Sequence, residues 1–76
     1  MPKKIFIGSV SLTTIDITIA TTFSPYGTIV DSGIDRNFSG QSLGTAHVEY
    51  TTDQSGTNAI AAKNNTVLDG NTITVR

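Results

Sequence analysis

The sequence predicts an α+β fold of order βαββαβ, a four-stranded antiparallel sheet with two helices packed on one face. Three observations lead there. Residues 43–50 (LGTAHVEY) alternate, with Ala46, Val48 and Tyr50 on one side and Thr45, His47 and Glu49 on the other, because a strand turns successive side chains to opposite faces. One apolar and one polar face is the mark of a sheet covered on one side only. Three further short stretches have strand character, and the two segments that separate them carry helix signals.

In chain order, residues 3–10 (KKIFIGSV) open as a strand with Ile5 and Ile7 on one face and Phe6 on the other, ended by Gly8 and Ser9. Phe6 lies opposite the core side, either simply exposed or available as a stacking platform. Residues 12–23 (LTTIDITIATTF) are ambiguous by pattern. Ile15, Ile17 and Ile19 alternate as in a strand, whereas Thr13 and Asp16 form a capping signal and Ile15, Ile19 and Phe23 make one helical stripe. Residues 24–27 (SPYG) form a turn, since proline sets φ and glycine tolerates positive φ.

Residues 28–36 (TIVDSGIDR) read as the second strand, with Ile29 and Ile34 inward. Their odd separation requires one extra residue, a bulge near residues 31–33. Residues 37–42 (NFSGQS) make a hairpin loop with Gly40 at its tip, ahead of the strand at 43–50. Residues 51–65 read as a helix, capped by Thr52 with Asp53 at its positive end. Gly56 in its middle costs about 1 kcal/mol relative to alanine, and Lys63 falls on or beside the buried stripe. Residues 67–71 form a turn, and residues 72–76 (TITVR) a final strand with Ile73 and Val75 inward. This is the split βαβ, ferredoxin-like arrangement.

The totals narrow the function classes. At 76 residues the chain is expected to be one domain spanning residues 1–76, close to the size at which a single core barely suffices. It contains no cysteine, which removes disulfides and thiolate metal sites. The net charge of −1 is not the basic balance expected of a nucleic-acid binder. Only 14% of residues are charged, and thirteen threonines help to fill the gap. No apolar run approaches the roughly 20 residues of a membrane span, and a signal-peptide core is lacking at the N-terminus. A soluble, non-secreted monomer is expected, without membrane contact. His47 stands alone, without a nucleophile at recognisable spacing, so neither catalysis nor a metal or small-molecule cofactor is expected. The sequon at Asn64 carries little weight without a secretory signal.

At the level of motifs, IFIGSV (residues 5–10), FSPYGTIVD (residues 23–31), LGTAHVEY (residues 43–50) and AIAAKNNTVLDGNTITVR (residues 59–76) resemble the RNA recognition motif. The resemblance covers nearly the whole chain and makes the ambiguous segment 12–23 a helix. The family's octamer signature runs basic, Gly, aromatic, small, aromatic, aliphatic, any, aromatic. Gly44, Ala46, Val48 and Tyr50 match it, while Leu43, Thr45 and His47 do not. The matching residues are those that hold the fold. The departures remove the basic residue and the two surface aromatics that in the family meet phosphate and stack on bases.

At about 1–3 kcal/mol per stacked base, that loss is worth roughly 2–6 kcal/mol of binding. The resemblance implies a nucleic-acid surface made of Phe6, Thr45, His47, Arg36 and Arg76, with Lys3 and Lys4 nearby and Asp31, Asp35 and Glu49 opposing phosphate. The Thr- and Ile-rich first helix, with Thr22 and Lys63 where an aliphatic is usual, reads as a sequence written to satisfy a backbone. The expectation is a designed or redesigned scaffold without dedicated activity, the alternative being weak single-stranded RNA binding on the sheet face. A protein contact through Ile17 or Phe38 is a third option.

Overall fold

The computed structural model describes residues 2–76. The elements are β1 (Lys3–Gly8), α1 (Asp16–Phe23), a tight helical turn (Ser24–Tyr26), β2 (Ile29–Arg36), β3 (Ser42–Tyr50), α2 (Asp53–Lys63), β4 (Val67–Leu68), β5 (Asn71–Thr72) and β6 (Thr74–Val75). Four strands form an antiparallel sheet in the order β2-β3-β1-β6. Both helices lie against one face of it, as the alternation in β1 and β3 requires.

The core is the product of that alternation. Ile5, Ile7, Ala46, Val48, Tyr50, Ile34 and Val75 point from the sheet to meet Ile19 and Phe23 of α1 and Ala59 of α2. Tyr50 and Phe23 are fully buried, and the Tyr50 hydroxyl donates a 2.6 Å hydrogen bond to the Phe23 carbonyl. That bond satisfies a carbonyl at the end of α1 which has no partner within the helix. Among the described residues no buried side-chain nitrogen or oxygen lacks a partner.

The helix α1 is shorter than the sequence suggests. It starts at Asp16, its cap position Ile15 makes no side-chain hydrogen bond, and Thr13 does not cap it. Asp16 is drawn elsewhere: its carboxylate accepts from the backbone N–H of Ile34 at 2.8 Å. An outward-facing N–H of the edge strand β2 thereby gains a charged acceptor, a stronger bond than a neutral cap would give. Of the expected stripe, Ile19 and Phe23 are buried but Ile15 is exposed, because it precedes the first helical turn. Ile17 is exposed as the helical reading requires.

The bulge in β2 exists and lies slightly earlier than expected. Ile29 faces Tyr50 and Ile34 faces Ala46, and the register shifts between Ile29 and Asp31. Five steps along β2 thus span four along β3, which brings both isoleucines to the helix side. Thr52 caps α2 by accepting from the Ser55 N–H. Gly56 has a packing reason: a Cβ there would run into the Lys3 side chain and lie 3.4 Å from Ile5 Cγ2. The helix therefore rides directly on β1.

The C-terminal part differs from expectation. Residues 67–72 form their own two-stranded hairpin, β4 with β5, turning at Asp69 and Gly70, which both have positive φ. The sheet strand is reduced to Thr74–Val75, because Ile73 N–H and carbonyl are engaged by Thr66 and Asn65. Asn64 Oδ1 accepts from the Val75 N–H at 3.0 Å, closing the β6 edge. No helix among the described residues is long and apolar enough to cross a membrane.

Burial pushes the Tyr50 phenol up to about 12, with the neighbouring Tyr26 adding to the shift. A phenol whose folded pKa is raised contributes stability that is complete below its unfolded value of about 10 and is lost as pH rises through the folded one. Tyr50→Phe should therefore cost about 1–3 kcal/mol at neutral pH by stranding the Phe23 carbonyl. Denaturant titrations should show the gap between the two proteins narrowing above about pH 10.

Candidate nucleic-acid interface

The face of the sheet opposite the helices is uncovered, and register decides what it presents. Phe6 pairs with His47 across β1 and β3, and His47 pairs with Gly33 of β2. On the other side Phe6 and Arg76 exchange both backbone hydrogen bonds, at 2.7 and 2.9 Å. Gly33, His47, Phe6 and Arg76 therefore stand in one row across the sheet. Phe6 is 51% exposed and anchors the row. The Lys4 ammonium sits 5.9 Å from its ring centroid, in the range of a cation–π contact.

His47 is held from the side of β2 by two carboxylates. Its Nδ1 lies 2.9 Å from Asp35 Oδ1 and its Nε2 lies 3.3 Å from Asp31 Oδ2. The bulge makes this possible, since it shifts the parity of β2 so that Asp31 faces Glu49 and the following residues stay in step with His47. The imidazole is only 22% exposed. It is fixed by both ring nitrogens. Thr45 donates to Asp35 Oδ2 at 2.8 Å. Among the described residues, no group of three or more potential ligands is placed to hold a metal ion.

The residues named from sequence are thus divided. Phe6, Thr45, His47 and Arg76 are brought together on the open face. Arg36 is not among them. Its guanidinium donates to the Gly40 carbonyl at 3.1 Å and lies 3.7 Å from Asp16 Oδ1, at the start of α1. It follows Ile34 by two residues and so turns to the helix side. Lys3 also packs on that side, against Gly56. The role of Asp35 as the centre of a hydrogen-bond network is not legible in the sequence, where it appears only as a charge opposing phosphate. Its signal would have been the bulge parity.

Burial alone would raise the Asp35 carboxyl, but hydrogen bonds from His47 and Thr45, with the charges of His47 and Lys4, outweigh it and hold the pKa below the usual value. A depressed folded pKa gives stability that is present above the unfolded value of about 3.9 and lost as pH falls through the folded one. In acid titrations of stability below about pH 4, Asp35→Asn should lose less than the parent chain. Identical acid profiles would contradict this network.

Comparison with known proteins agrees with the geometry. A family model described as the RNA recognition motif matches residues 5–74. The chain is 37% identical over 70 residues to the chloroplastic organelle RRM domain-containing protein 1 of Zea mays, covering 90% of this chain and 17% of that protein. It is 38% identical over 74 residues to the glycine-rich RNA-binding protein blt801 of Hordeum vulgare, covering 95% and 45%. The chain therefore spans less than half of these relatives. Among solved structures it superimposes on a Sxl-Lethal protein–RNA complex with a TM-score of 0.87 and 30% identity, covering 96% of this chain and 46% of that one. The second RRM domain of yeast poly(U)-binding protein gives a TM-score of 0.89 at 19% identity, over 96% and 89%, a likeness of fold. Matched by that family model from β1 to β6, with the family's sheet order and open face, the chain belongs to the RNA recognition motif family.

Proposed function

We propose that this domain binds single-stranded RNA on the open face of its sheet, with Phe6 as the stacking platform and Lys4 and Arg76 as the cations that meet phosphate. The observation that carries the reading is the half-exposed Phe6 ring in the row with His47 and Arg76, with Lys4 beside it. Relatives whose names describe them as RNA-binding proteins support the same reading. A designed scaffold without activity, the other expectation from the sequence, finds no support in the fold or in these relatives.

Binding is expected to be weak. One aromatic in place of three leaves about 1–3 kcal/mol of stacking, and Asp31, Asp35 and Glu49 repel phosphate from the β2 side. Strands should therefore track the half of the sheet made by β1 and β6.

The test is an NMR titration with short single-stranded RNA at low salt. Amide shifts should move at Phe6, Thr45, His47 and Arg76, while Arg36 stays still. Phe6→Ala should weaken binding roughly 5- to 150-fold, the equivalent of about 1–3 kcal/mol. The logarithm of affinity should fall with the logarithm of salt at a slope of about −1.4, roughly −0.7 for each of two phosphate contacts. Silence across the sheet at about millimolar RNA would sink the proposal and leave a fold without this ligand.

A further inference from the structure

Beside Phe6 the open face dips into a depression of about 420 Å³, within the range of small-ligand sites. Its walls come from Phe6 and Gly8 of β1, Asp35 of β2, Thr45 of β3, and Thr74 and Arg76 at the β6 edge. Gly8 keeps it open, since a Cβ there would lie 2.7 Å from Thr74 Oγ1. One wall is an aromatic face and the rim carries a guanidinium. The wall facing them is unusual in its polarity.

That wall offers acceptors. Asp35 receives one hydrogen bond on each oxygen, from His47 on Oδ1 and from Thr45 on Oδ2. A carboxylate has about four lone-pair sites, so each oxygen keeps one for a ligand. Thr45 gives its proton to Asp35, so its hydroxyl can meet a ligand only through its lone pairs, as an acceptor. The depressed pKa of Asp35 keeps the carboxyl ionised and acceptor-only at neutral pH.

We propose that the depression takes one base of single-stranded RNA stacked on Phe6, and that Asp35 with Thr45 selects bases by their N–H donors, guanine first and uracil last. This rests on the RNA-binding reading above. Guanine carries N1–H and N2–H side by side on its Watson–Crick edge, which matches the two oxygens of a carboxylate. Adenine and cytosine each offer one amino group, and an acidic side chain accepting from the cytosine amino group is an established pairing mode. Uracil offers a single N3–H flanked by two carbonyl oxygens, which a carboxylate repels. Charge-assisted bonds in a partly enclosed site give such a difference its size. Base edges are accessible in this way because a single strand can splay them out.

The experiment is fluorescence anisotropy at low salt with labelled oligouridine and with the same strand carrying a single central guanosine, adenosine or cytidine. The guanosine strand should bind at least about fivefold more tightly than oligouridine, with the other two between. In Asp35→Asn the side chain keeps its shape but sets an N–H against a guanine donor, and the gap should fall to about twofold or less. Asp35→Ala should lose the gap as well, while oligouridine binding strengthens as the repelling charge is removed. The ratio between strands is read on one protein sample, so a partly folded variant does not distort it. Equal binding of all four strands, or a guanine preference intact in both variants, overturns this inference alone. Absence of binding to every strand overturns the RNA-binding reading with it.

Discussion

The pairing of β1 with β3, Ile5 against Val48 and Phe6 against His47, sets both the core and the interface. A slip of β1 by one residue against β3 would send Phe6 and Lys4 toward the helices and expose Ile5 and Ile7, since strand side chains alternate with a period of two. The buried isoleucines hold the register through their apolar area. Tyr50 at the end of β3 ties it to α1 through the Phe23 carbonyl. Fold and open face are consequently one decision, and a substitution that loosens the core also blurs the row on that face.

Side chains from the helical layer close both edges of the sheet. Asp16 takes the Ile34 N–H on β2, and Asn64 takes the Val75 N–H on β6. Edge strands with free backbone groups invite pairing with other chains, and these two acceptors remove part of that invitation. What remains accessible is the broad uncovered face. The helix α2 packs closely on its neighbours, with Gly56 against Lys3 of β1 and Ser55 against Gly27 in the turn after α1.

Charge on the open face is partitioned. Asp31, Asp35 and Glu49 lie toward β2 and β3, and Lys4 and Arg76 toward β1 and β6. A net charge of −1 therefore hides a local positive half, and it is the local field that steers a charged ligand. Two of these carboxylates, Asp31 and Asp35, hold His47 by its edges. The imidazole is consequently committed to structure.

By itself the sequence determined what periodicity and local chemistry can carry. The alternation of residues 43–50 assigned Ala46, Val48 and Tyr50 to the core; Thr52 marked the start of α2; and the odd spacing of Ile29 and Ile34 required a bulge. Phe6 as an exposed aromatic was legible for the same reason. Tertiary structure decided the rest, because the competing partners come from far along the chain. Asp16 had the look of a local capping residue, but its carboxylate accepts from the N–H of Ile34, eighteen positions away. Arg36 had the charge for an RNA contact and lost the position, since strand parity carries it with Ile34 to the helix side. The clamp of Asp31 and Asp35 on His47 depends on where the bulge falls, which spacing bounds only to a few residues. LGTAHVEY announced which face would be polar, and only the neighbouring strand decided which partners Thr45 and His47 meet there.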